Sequence, residues 1–141
     1  MGEVLYAAPQ FGQQSTRARS TSTVARVLIV DADPAALAAM SQALQNEGHL
    51  TATAFDAAGA IALAERLGPF ELLITDLHMT PVDGIELAAA LRTREPQLQV
   101  LYTTSAFHEL FAHALPLPET DEVVEKPFSE GELVDAVRRI L

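Results

Sequence analysis

The chain has 141 residues, one ordinary domain, and 49% of them are apolar, enough for a core that folds without staples. It contains no cysteine, which excludes disulfides, thiolate metal sites and cysteine nucleophiles. Nineteen acids against nine bases give a net charge of −10. Such a surface repels DNA, whose binding draws most of its affinity from phosphate neutralisation, so no nucleic-acid partner is expected.

No apolar run approaches the ~20 residues of a membrane span. The opening MGEVLYAAPQF lacks the basic and apolar regions of a secretory signal. The expected location is the cytoplasm, with no membrane partner. Residues 1–24 include QQSTRARSTST, with Arg17 and Arg19 against the single acid Glu3. This polar stretch has no apolar period and reads as a flexible extension, leaving 25–141 as the folded domain.

From Arg26 onwards the pattern alternates. Val27-Leu28-Ile29-Val30 is a short continuous apolar run, as expected of a strand buried on both faces. Asp33-Pro34 supplies an N-cap and a first-turn proline. Leu37, Met40 and Leu44 recur at helical spacing until Gly48 ends the helix. Leu50 to Phe55 reads as a weaker strand. Asp56 caps an alanine-rich helix striped by Ile61, Ala64 and Leu67 and ended by Gly68-Pro69. Leu72-Leu73-Ile74-Thr75 is a third buried strand. The turn residues Thr80 to Gly84 lead into a helix through Leu87, Ala88 and Leu91, stopped by Pro96. Val100 to Thr103 is the fourth strand, a short helix is expected around Glu109 to Leu115, and Val123-Val124 belongs to the fifth strand. Ser129 and Glu132 form a capping box for a last helix striped by Leu133, Val137, Ile140 and Leu141. Five strands alternating with five helices predict a doubly wound parallel sheet with helices on both faces.

The informative polar residues fall at strand ends. Asp31 follows the first strand, Asp76 the third, Thr104 the fourth and Lys126 the fifth. Open α/β sheets bind ligands beyond the carboxyl ends of their strands, at the switch point of strand order. Alternation does not fix that order. If it is 2-1-3-4-5, the switch point lies between the strands that carry Asp31 and Asp76. Two carboxylates held close repel, and one protonates unless a cation lies between them. A hard cation with oxygen ligands such as Mg²⁺ suits the pair. Lys126 is the only lysine among nine bases. Either a need for a compact point charge or an arginine-favouring composition accounts for that. Carboxylates, an ammonium and a hydroxyl are what phosphoryl transfer requires, and a carboxylate can itself be the nucleophile.

Four segments, VLIVDADP (27–34), LLITDLHMTPVDG (72–84), VLYTTS (100–105) and VVEKPF (123–128), together resemble the receiver domain of bacterial two-component response regulators. The resemblance covers residues 26–141. It implies a flavodoxin-like five-stranded sheet of order 2-1-3-4-5 with five helices. It implies Asp76 as phosphoacceptor, and Mg²⁺ held by Asp31, Asp76 and the backbone carbonyl of His78. It implies Thr104 and Lys126 as phosphoryl-binding groups, with Thr104 also moving as a switch and a Lys126–Pro127 bond that is commonly cis. The implied donor is a histidine kinase or phosphotransfer protein. Output passes to a downstream protein target, through the face around the fourth helix, fifth strand and fifth helix, from a monomer or weak dimer. A stand-alone receiver and one excised from a hybrid kinase or larger regulator both fit. As a phosphoacceptor, such a domain catalyses only its own phosphorylation and dephosphorylation.

Three departures from the family pattern stand out. Ala32 replaces the second acid, which predicts weakened Mg²⁺ binding; Asp33 is a doubtful substitute, because alternation points it elsewhere and it suits an N-cap. Val123 replaces the switching aromatic, for which Phe107 is a doubtful stand-in. Pro81 is displaced by one position, which predicts a local change in the loop. Two other functions compete. One is a degenerate receiver that acts as a phosphorylation-independent interaction module, favoured by Ala32 and Val123. The other is a haloacid-dehalogenase-type phosphatase using Asp31 of the Asp31-Ala32-Asp33 triplet. No glycine-rich phosphate loop supports nucleotide binding. The remaining polar features have plainer readings. His49, His108 and His113 read as surface residues, Asp83-Gly84 as turn chemistry, and Glu119, Asp121, Glu122 and Glu125 as a solvated acidic face. The His78 side chain, which faces the site entrance in the family, is a candidate for tuning dephosphorylation.

Overall fold

Runs of apolar residues without polar alternation need cover on both sides of a sheet. The computed structural model, which describes residues 24–105, 117 and 120–141, provides it. The strands are β1 (Arg26–Val30), β2 (Leu50–Ala54), β3 (Leu72–Asp76), β4 (Gln99–Thr104) and β5 (Glu122–Glu125), all parallel in the order β2-β1-β3-β4-β5. The described helices are α1 (Pro34–Asn46), α2 (Ala57–Leu67), α3 (Gly84–Arg92) and α4 (Glu130–Ile140). The extension, the helix expected around Glu109 to Leu115, and Phe107, His108, His113 and Glu119 lie outside the described residues. Among the described residues no helix is long and apolar enough to cross a membrane.

Alternation assigns the strand side chains to two cores. Val27 and Ile29 of β1, Leu72 and Ile74 of β3 and Leu101 of β4 pack with Leu37, Met40 and Leu44 of α1 and Leu133 and Val137 of α4. Leu28 and Val30, Leu73, and Val100 and Tyr102 pack with Leu87 and Leu91 of α3 and Ala57 and Ala60 of α2. Each buried Val, Leu, Ile or Met among them contributes roughly 1.5–3 kcal/mol. Asp33 caps α1 through Ala35 N–H at 3.0 Å, and Ser129 and Glu132 close their capping box on α4. The stripe expected on α2 is displaced. Ala57 and Ala60 are buried while Ile61 and Ala64 are half-buried and Leu67 is exposed, because the helix lies against the sheet through its smallest side chains.

Two expectations are corrected. His49 is buried rather than superficial, because α1 ends with Gly48 at φ 92° and the chain turns under β1. Its Nδ1 accepts the Ala25 N–H at 3.0 Å. Burial lowers its pKa, opposed by the nearby Glu47. Nor is the whole acidic run solvated. The Asp121 carboxylate has no exposure and receives both terminal nitrogens of Arg92, at 2.7 and 3.1 Å. Arg92 Nε donates to Leu98 O at 3.0 Å. The Tyr102 hydroxyl also bonds Asp121, and burial, then that carboxylate, push its pKa up to about 12. A formal negative charge next to apolar strands is stable only when paired in this way. The network anchors β5, an edge strand of four residues, to β4 and α3. Glu125 is exposed and fits the solvated reading, and Glu122, bound to Arg139 at 3.2 Å and itself partly exposed, fits it in part.

Removing one partner of a buried pair leaves an uncompensated charge. Arg92→Ala should therefore lower unfolding free energy in urea by about 3–5 kcal/mol, whereas Arg139→Ala, in an exposed pair, should change it by about 0–1 kcal/mol. His49 titrates lower in the fold than its ordinary 6.5, so the unfolded chain binds that proton first. Its contribution is present above pH 6.5 and is lost as pH falls towards the lowered folded value. Urea midpoints at pH 7.5 and 5.5 should differ more in the wild type than in His49→Asn.

Candidate functional site

Period two also places the polar strand ends. Asp31 continues the face of Val27 and Ile29, Asp76 that of Leu72 and Ile74, and Lys126 that of Val124, all on the side covered by α1 and α4. The order β2-β1-β3 sets Asp31 and Asp76 on neighbouring strands. Lys126, from the far strand, reaches across the end of β4 to both. Its Nζ donates to Asp31 Oδ2 at 2.8 Å and to Asp76 Oδ2 at 3.3 Å.

The remaining carboxylate oxygens are held by the loops. Asp31 Oδ1 accepts Asp33 N–H at 2.9 Å, and Asp76 Oδ1 accepts His78 N–H at 3.1 Å. Asp31 is buried, Asp76 is 17% exposed and Lys126 26% exposed at their side chains, so the cluster opens to solvent on the Asp76 side. Burial alone would lower the Lys126 pKa, but the hydrogen bond to Asp31 and the charges of both aspartates outweigh it, and the net shift is upward. The ammonium stays charged and offsets the repulsion between the acids.

Local structure fixes these positions. Lys126 N–H continues the ladder to Thr104 O at 2.8 Å, and the Lys126–Pro127 bond is cis. The Thr80–Pro81 bond in the loop after β3 is also cis. Asp83 and Glu86 form a reciprocal capping box at the start of α3. The sequence carries a signal for it, an acid three residues before Glu86, beyond the turn chemistry of Asp83-Gly84. A Cβ at Gly84 would lie 2.4 Å from the Asp76 carbonyl oxygen and 3.1 Å from Leu77 Cα, so only glycine lets the loop close on the strand carrying Asp76.

Of the other residues singled out, Thr104 is fully buried at the end of β4. Asp33 gives its carboxylate to the α1 cap, Ala32 is exposed, and His78 is exposed. Val123 lies beside Tyr102 in register and packs in the same core, so an aromatic does occupy this region, one strand away from where the family pattern would place it. Sequence comparison looks for a stand-in at Phe107, beyond the strand, and so passes over this tyrosine within β4.

A doubly wound parallel sheet with an acid–lysine cluster at its carboxyl edge defines an α/β protein whose chemistry lies at the switch point. Comparison makes this specific. The sequence matches the family described as response regulator receiver domain over residues 27–138, and the chain belongs to that family. It is 31% identical to the transcriptional regulatory protein TrcR of Mycobacterium tuberculosis, over 92% of this chain and 50% of that protein. It is 34% identical to the response regulator receiver protein CpdR of Brucella abortus, over 82% of this chain and 96% of that one. The chain thus spans about half the length of relatives such as TrcR. The structure of chemotaxis response regulator CheY4 of Vibrio cholerae superposes with a TM-score of 0.71 at 27% identity, over 84% of this chain and all of the other. Phosphorelay signalling is therefore the function class, and the phosphatase and phosphorylation-independent readings are not favoured.

Proposed function

We propose that Asp76 accepts the phosphoryl group in this receiver. The observation that carries the reading is the convergence of Asp31, Asp76 and Lys126 at a solvent-accessible strand end. One Asp76 carboxylate oxygen attacks the phosphorus of a phosphohistidine on a histidine kinase or phosphotransfer protein. The O–P bond forms as the P–N bond breaks, and the imidazole nitrogen leaves with the electron pair and is protonated. Lys126 then pairs with the phosphoryl oxygens, and Thr104 supplies a hydroxyl from the neighbouring strand. The protein mainly positions and neutralises charge.

Asp31, Asp76 and the His78 carbonyl are hard oxygen donors and suit Mg²⁺, with water completing an octahedron. Bound there, the ion would neutralise charge on the transferring group. The donor set is one carboxylate short, because Ala32 brings none and Asp33 is committed to its helix. With that acid missing, weakened Mg²⁺ binding is the expected result. Output passes to a protein target by contact.

Incubation with acetyl phosphate and Mg²⁺ should add one phosphoryl mass to the wild type and none to Asp76→Asn. An adduct that persists in Asp76→Asn would refute the assignment, and a wild type that gains none would leave a phosphorylation-independent interaction module. Ala32→Asp should tighten Mg²⁺ binding by roughly tenfold or more, the scale of one supporting metal contact, measured by calorimetry. Equal affinities would show that position 32 does not limit the site.

A further inference from the structure

Thr103 Oγ1 is a buried side-chain oxygen with no hydrogen-bond partner, and it is the single such atom among the described residues. The residue has no exposure. An unpaired buried hydroxyl is a standing cost to the fold, and native chains keep few of them. Its place is specific. Thr103 is the register partner of Asp76 on one side and of Val124 on the other. It follows Leu101 on the face covered by α1 and α4, which is the face of Asp31, Asp76 and Lys126. Parallel neighbours lie about 4.8 Å apart. Lys126 must cross β4 to reach Asp76, and Thr103 is the residue of β4 on that side of the sheet.

In the resting arrangement there is nothing for this hydroxyl to do. Asp76 Oδ1 is taken by His78 N–H and Oδ2 by Lys126. Esterification changes that balance. Once one oxygen carries phosphorus and the ammonium pairs with the phosphoryl oxygens, the acyl group of Asp76 loses a donor. We propose that Thr103 then supplies it, so that its hydroxyl is unpaired in the resting protein and paired in the loaded one. The residue thereby biases the equilibrium towards the loaded state, a contribution separate from that of Thr104, which serves the phosphoryl oxygens rather than the acyl group. The proposal rests on the reading of Asp76 as phosphoacceptor.

The test compares wild type, Thr103→Val and Thr103→Ser, each titrated with beryllofluoride in excess Mg²⁺ as a stable phosphoryl mimic and followed by ¹⁹F NMR. Urea midpoints are measured with and without the mimic. Valine keeps the shape and removes the hydroxyl. It should raise the midpoint of the unloaded protein yet weaken beryllofluoride binding about fivefold, the worth of one neutral hydrogen bond. Serine should restore wild-type affinity. A valine variant whose affinity stays within twofold of wild type overturns the proposal, whatever its stability. So does a serine variant as weak as valine. If Thr103→Val does not fold, Thr103→Ala is read by the same criteria. A wild type that takes up neither beryllofluoride nor a phosphoryl group instead overturns the phosphoacceptor reading, and this proposal with it.

Discussion

The site depends on a single ammonium group placed between two carboxylates from adjacent strands. Asp31 and Asp76 are brought together by the pairing of β1 with β3, and their mutual repulsion would push one of them to protonate were no cation present. Lys126 supplies the cation from the far edge of the sheet, across β4. Its stem must therefore be held at a fixed distance, and the four-residue strand that carries it is too short to guarantee this by ladder hydrogen bonds alone. The buried Arg92–Asp121–Tyr102 network at the opposite end of β4 and β5 does the anchoring. Charge balance at one edge of the sheet thus rests on charge pairing at the other.

Much of this was legible in the sequence because it depends on local patterns. Apolar runs such as Val27–Val30 and Leu72–Ile74 name buried strands, and Asp33 and Ser129 announce helix starts. The strand ends of Asp31, Asp76 and Lys126 follow from those boundaries by counting. What escaped depends on distant partners. Nothing near Asp121 in the chain reveals that Arg92, 29 residues away, will face it, so the acidic run looked solvated. The burial of His49 required knowing that Ala25 would present an N–H to it. Thr103 and Thr104 are adjacent and chemically identical. Only the register of β3 with β4 separates the one opposite Asp76 from the one that ends the strand.

The departures from the family pattern form a consistent set. Losing an acid at position 32 removes one negative charge from the cluster. The remaining pair is then matched to the single lysine more closely than a triplet would be. Replacing the aromatic at 123 with valine leaves room beside β5, and Tyr102 fills the adjoining core with its hydroxyl fastened to Asp121. A ring fastened in this way is poorly suited to rotating as a signal.

Gly84 has a mechanical consequence. Its α-carbon sits so close to the Asp76 carbonyl that no side chain fits between them, and its N–H is bonded to Leu77 O at 3.0 Å. The first turn of α3 and the Asp76 peptide are in effect welded. A force applied along α3 is therefore passed directly to the backbone that carries Asp76.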